Sequence, residues 1–140
     1  MAVVLDTDVV VSGLRSPQGA SAELLRRVLT QKLTILLSVP LGIEYEAVCL
    51  RPEHLLAADA TANDMLNAVD AIIAQARPVD IHYQWRPQLH DANDEIVLEA
   101  AVNGGASAIV TYNTKDFRQI PQRFGIELMT PKQLIERRSS

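Results

Sequence analysis

The sequence is poor in several things that proteins use to hold themselves or their partners. It has one cysteine, Cys49, among 140 residues, which excludes an intrachain disulfide and any metal centre built from several thiolates. A lone, soft thiol of this kind belongs in the core. Aromatic residues make up only 4%, so the core has to be aliphatic, built from Ala, Val, Leu and Ile within an ordinary globular composition. No apolar run approaches the ~20 residues that span a bilayer. Asp6 and Asp8 also interrupt the N-terminal apolar stretch where a secretory leader would continue, so a cytoplasmic protein with no membrane contact is expected. Positive charge is scarce as well: 13 Lys and Arg stand against 17 Asp and Glu, a net charge of −4. That balance argues against holding nucleic acid by bulk electrostatics. The objection weakens if several acids cluster around a cation and leave the remaining surface near neutral. Arg15, Arg51, Arg86, Arg118 and Arg123 fall in or near loops that can face a phosphate backbone, although each taken alone reads better as a solubilising charge.

What is present is a regular alternation of short apolar runs and helical patterns, of a length that favours a single domain over residues 1–140. Residues 2–5 form a buried-strand run that ends at Asp6. Leu24, Leu25, Val28 and Leu29 recur at helical spacing in 21–31, and 33–37 reads as a second strand. Ser38-Val39-Pro40 turns into a helix expected to place Ile43, Ala47 and Val48 on one face, and Arg51-Pro52 breaks it. Thr61 and Asp64 have capping spacing for a helix over 63–76, with Met65, Val69, Ile72 and Ile73 inward. Residues 79–82 read as a strand, followed by a polar loop through Trp85 and Pro87. A helix over 94–103 ends at Gly104-Gly105, 108–111 and 126–129 read as strands, and Thr130-Pro131-Lys132-Gln133 starts a final helix. Strands alternating with helices predict an α/β fold: a three-layer α/β/α sandwich around a mostly parallel sheet of four to five strands.

In open α/β sheets, ligands bind outside the carboxyl ends of the strands. Asp6 and Asp8 directly follow the first strand, Glu44 lies one to two turns into the helix after the second, and Asp91 and Asp94 open a helix. Asn113 and Asp116 follow the strand ending at Thr111. Acids gathered at one rim would raise one another's pKa values unless a hard divalent cation neutralised them. Mg²⁺ or Mn²⁺ accepts such oxygen ligands together with water and phosphate oxygens, and can activate water for attack on a phosphodiester. Each acid has a plainer role to weigh: Asp91 and Asp94 as a helix cap and its third-position partner, Glu44 beside Glu46 as a solvated face, Asp116 as the cap of a short helix. Asp6, directly after a buried strand, needs a partner in any reading.

Four segments, in order, resemble the motifs of the PIN-domain family. Val3-Val4-Leu5-Asp6-Thr7-Asp8 resembles its opening, and Ser38-Val39-Pro40 running into Glu44-Tyr45-Glu46-Ala47-Val48 resembles its second motif. Asp91-Ala92-Asn93-Asp94-Glu95 resembles the third, and Ile109-Val110-Thr111-Tyr112-Asn113-Thr114-Lys115-Asp116-Phe117 the fourth. The likeness is strongest to the VapC-like toxin ribonucleases. It implies Asp6, Glu44, Asp94 and Asp116 as the catalytic, metal-binding acids, Thr7 and Thr111 as polar supports, and Mg²⁺ or Mn²⁺ as cofactor. It further implies endonucleolytic cleavage of RNA, a small antitoxin partner, and a homodimer, for which the early helix carrying Leu24, Leu25, Val28 and Leu29 is a candidate face.

One departure stands two residues from the first acid. Asp8 occupies the place of a usual Asn, and an ionised carboxylate accepts hydrogen bonds but cannot donate them. Either the rim gains a fifth acid or the hold on Asp6 changes; because Asn113 stands where many relatives carry Asp, the charge is also readable as moved. Two rival readings follow. One is a non-cleaving PIN-like module that binds RNA or protein. The other is a haloacid-dehalogenase-like phosphatase, with Asp6 as nucleophile, Asp8 as general acid/base and Lys115 as its only suitably placed lysine.

Overall fold

In a computed structural model, which describes residues 1–83, 89 and 91–137, the chain forms a five-stranded sheet in which every pairing is parallel. The strands are β1 (Ala2–Leu5), β2 (Thr34–Leu37), β3 (Arg77–Pro78), β4 (Ala108–Val110) and β5 (Glu127–Met129), in the order β3-β2-β1-β4-β5. The chain steps outward from β1 to β2 and β3, then crosses back to the other side of β1 for β4 and β5. Right-handed crossovers therefore put the helix that crosses back from β3 to β4 on the face opposite those that join the outward steps, and the order reverses between β1 and β4. At that seam Leu5 pairs with Val110, and Asp6 N–H continues the ladder to Val110 C=O at 2.9 Å.

The helices are α1 (Thr7–Arg15), α2 (Ala20–Leu29), α3 (Val39–Cys49), α4 (Pro52–Ala58), α5 (Ala62–Gln75), α6 (Ala92–Gly104) and α7 (Pro131–Glu136), with two 3-10 turns at Thr114–Phe117 and Pro121–Phe124. The core is aliphatic, as expected, with Tyr45 and Phe117 as its largest fully buried side chains and Cys49 inside it. The caps foreseen at Thr61/Asp64 and Thr130/Gln133 form as reciprocal capping boxes, and Gly105 ends α6 at φ +65°. Gly13 lets α1 lie against α2: a Cβ there would fall 2.5 Å from Leu25 Cδ1 and 3.0 Å from the Ser21 carbonyl oxygen.

Five expectations are corrected. α1 and α4 exist where no helix was expected. The buried face of α3 carries Leu41, Tyr45 and Cys49; Ile43 and Ala47 point to solvent and Val48 is half-buried. The third strand is Arg77–Pro78 rather than 79–82, an edge position where a proline's missing N–H costs little. Leu24, Leu25 and Val28 belong to the core, which leaves only Leu29 of that set exposed and removes the proposed dimer face. The expected loop through Trp85 and Pro87 lies outside the described residues.

Candidate active site

The site begins where β1 stops. Asp6 leaves the strand with φ −63° and ψ 152° and becomes the N-cap of α1. Its Oδ1 accepts from Thr7 N–H at 2.7 Å and its Oδ2 from the Thr111 hydroxyl at 2.7 Å, so one carboxylate bridges the ends of the adjacent strands β1 and β4. Thr111 Oγ1 in turn accepts from Asn113 N–H at 2.9 Å, which fixes the direction of its proton. Behind Asp6, fully buried Tyr45 donates its hydroxyl to the Leu5 carbonyl. That bond ties α3 to the end of β1 and sets the neighbouring Glu44 at the same rim.

A cavity of about 540 Å³ opens there, at the reversal point of the sheet where open α/β folds place their ligands. It brings together Asp6, Thr7, Asp8, Glu44, Asp91, Asp94, Asn113 and Asp116, together with Arg15 and Arg51. Thr111 is buried beneath it, bonded to Asp6. Arg118 lies outside the lining, exposed at the end of the first 3-10 turn; Arg123 faces a separate depression; Arg86 lies outside the described residues. The sequence reading missed His54, which comes into the pocket on α4. The signal for it was Pro52, a good first residue for a helix, taken instead only as the end of the one before.

The acids feel one another. Burial, then Asp8, pushes the Asp6 carboxyl up to about 7 against the pull of its Thr111 and Thr7 hydrogen bonds. Burial, then Asp6, Asp91 and Asp116, raises Asp94 to about 6. Glu44 lines the same cavity from α3. Asp91 keeps its plainer role too: it is the N-cap of α6 and accepts from Asn93 N–H at 2.7 Å.

Asp8 reaches the 111–113 segment from the first turn of α1, its Oδ2 lying 3.5 Å from the Thr111 hydroxyl that Asp6 also holds. Its Oδ2 accepts from Tyr112 N–H at 3.1 Å and from the Asn113 side-chain amide at 3.0 Å, and burial raises its pKa. An amide donor on the 111–113 segment thus faces a carboxylate acceptor on α1, so the place of Asp8 is satisfied by Asn113 across the rim. Asp8 Oδ1 and the Thr7 hydroxyl are buried without a partner among the described residues.

Among the described residues, no three His, Cys, Asp or Glu side chains converge as a ready-made metal cage. The donor set nevertheless fits a hard divalent cation. It is all oxygen, and two of its carboxylates, Asp6 and Asp94, are held above their ordinary range by burial and by neighbouring acids. Mg²⁺ takes only one or two carboxylates and keeps several waters.

A parallel α/β domain with an acid-lined pocket at its strand reversal has its ligand site where open α/β sheets place one, furnished with oxygen donors for a hard cation. More particularly, a PIN-domain model matches residues 2–115, and the chain belongs to the PIN-domain family. Its fold is similar to a chain in the crystal structure of VapBC2 from Rickettsia felis bound to a DNA fragment from their promoter. The two share 16% identity at a TM-score of 0.64, over 93% of this chain and 98% of that one. No curated protein matches the chain. Family membership points to nuclease chemistry and to divalent cations in general.

Proposed function

We propose that this protein is a Mg²⁺- or Mn²⁺-dependent endoribonuclease and the toxin of a toxin–antitoxin pair. One observation carries the catalytic reading: two carboxylates, Asp6 and Asp94, are raised to about 7 and about 6 beside each other in one cavity. A cation bound there would supply neutralising charge and an activated water. Asp6, Glu44, Asp94 and Asp116 would hold it, one or two of them directly and the others through its waters. Thr111 and Thr7 N–H keep both Asp6 oxygens oriented, and the Asp8–Asn113 contact holds the segment that carries Asp116. The toxin branch is supported by the likeness in fold to a VapBC2 chain, and a small antitoxin and a homodimer belong to the same reading. No helix among the described residues is long and apolar enough to cross a membrane.

The test is cleavage of single-stranded RNA by the Mn²⁺-supplemented protein. Asp6→Asn and Asp94→Asn should each abolish it, and EDTA should stop it. Cleavage that survives EDTA, or variants as active as the parent, would overturn the assignment. RNA left intact at high protein concentration would favour the non-cleaving module. The phosphatase reading loses its support, because Lys115 is exposed outside the cavity.

A further inference from the structure

The cavity has a second wall of opposite character. α1 starts at the acids and ends at Arg15, a run of nine residues, so its length carries the wall about 13 Å from Asp6. At that far end α1 packs on α4. Arg15 Nη1 lies 3.3 Å from His54 Nδ1. A guanidinium can only donate, so Nδ1 is the acceptor in this contact. Arg51, the residue before α4, lines the same end. Neither Arg15 nor Arg51 has a carboxylate within ion-pair distance among the described residues, a state they share with Lys32, Arg77, Lys115, Arg118 and Arg123, but of these only Arg15 and Arg51 line the acidic cavity. A basic residue in the last turn of a helix is favoured by the helix dipole, which accounts for Arg15 alone. It does not account for a guanidinium from a second element and an imidazole lining the same wall of a cavity whose other wall is acidic.

We propose that Arg15, His54 and Arg51 form a phosphate subsite that grips the backbone of a single-stranded nucleic acid away from the bond being cut. The proposal rests on the nuclease reading and adds a consequence to it: the pocket measures substrate length. The carboxylate rim repels a polyanion in the absence of its cation, so the anchoring of a strand falls to the cationic wall. A dinucleotide seated at the acids would not reach that wall, while a longer strand would engage both ends.

The experiment uses the full chain carrying Asp94→Asn, so that RNA survives, and reads the affinity of fluorescent oligoribonucleotides by anisotropy over a salt series. Affinity should step upward between a dinucleotide and an octanucleotide. Arg15→Ala and Arg51→Ala should each weaken octanucleotide binding about three- to tenfold and lower the salt slope by about 0.7, the value for one phosphate contact on a single strand. Arg26→Ala, the same change of charge outside the cavity, should leave the slope unmoved, and Arg15→Lys should retain it. Slopes for Arg15→Ala and Arg51→Ala equal to that of Arg26→Ala, or no step with length, would overturn the subsite. If the slopes fall as expected but the parent protein cleaves no RNA, the subsite stands and the nuclease reading fails.

Discussion

The charges on the α2–α7 side of the molecule and those at the carboxyl rim of the sheet are made of the same residue types and behave in opposite ways. On the first surface Glu23 meets Arg26 at 2.9 Å and Arg27 at 3.3 Å, and Glu127 meets Arg137 at 2.7 Å. Their arginine partners hold both carboxyls below the ordinary range. At the rim, Asp6 has two hydrogen-bond donors, and Asp6 and the half-buried Asp94 feel each other's charge. Neither has a basic side chain within ion-pair distance among the described residues, and both are pushed up. A surface that closes its own electrostatics needs nothing further, whereas one that concentrates like charge at the reversal point of a sheet is completed by something from outside. The contrast between the two, more than any single acid, marks the site.

The largest expected effect follows directly. Asp94→Asn and Asp6→Asn should lower Mn²⁺-dependent RNA cleavage by at least about a hundredfold, within the range seen when a catalytic group is lost, while Glu23→Gln leaves the rate unchanged. Equal losses from rim and surface variants would erase the distinction. Next comes stability. Asp6 has a folded pKa raised from 3.8 to about 7, so its carboxyl favours folding while protonated and opposes it once ionised. Its contribution is complete below about pH 4 and is lost as pH rises through about 7. The metal-free protein should therefore melt progressively lower across that window. Asp6→Asn should flatten the profile and raise the melting temperature at pH 8 by roughly 5 °C, on the order of 1–2 kcal/mol for a domain of this size. Calorimetry in EDTA measures this, and a profile that rises with pH would show that the carboxylate is compensated within the fold. Mn²⁺ should restore stability above pH 7 in the parent and much less in the variant.

Most of this rim was legible before any coordinates, and the reason is local. A carboxylate placed directly after a buried strand, or at the N-terminus of a helix, has its position fixed by the backbone rather than by distant packing. Asp6, Asp91 and Asp94 are all of this kind. What stayed hidden depended on tertiary context. Val9, Val10 and Val11 have strand-like side chains, yet they form α1 because Asp6 caps it and the sheet, α2 and α3 bury it. α3 is apolar nearly all round, so periodicity could not choose between Ile43 and Tyr45 as the inward residue. His54 stayed hidden with α4, and the cationic wall with it.

A third effect, smaller again, tests whether Asp8 belongs to the rim's charge or to its scaffolding. Asn113→Asp alone would set two carboxylates where an amide now donates to Asp8 at 3.0 Å. It should cost on the order of 1 kcal/mol above pH 7. Adding Asp8→Asn restores a donor and an acceptor with their directions exchanged, and should recover most of that loss in urea unfolding. A double-mutant cycle with no coupling would mean that the two side chains are placed independently, and that Asp8 is simply a fifth acid.

The smallest effect is expected from the paired surface. Glu23 and Glu127 are each bonded to arginine in good geometry, but all of these side chains stand in water. There the ion pair gains little over hydration, and the arginine loses side-chain entropy by holding one pose. Glu23→Gln and Glu127→Gln should each move the melting temperature by no more than about 1 °C. Raising the salt concentration should shrink even that, since exposed pairs are screened within about 10 Å at 0.1 M. The buried Asp6 effect should persist under the same salt, because water and ions do not reach between its oxygens and their partners. A surface pair that proved as consequential as Asp6 would mean that packing, not solvent exclusion, separates the two regions.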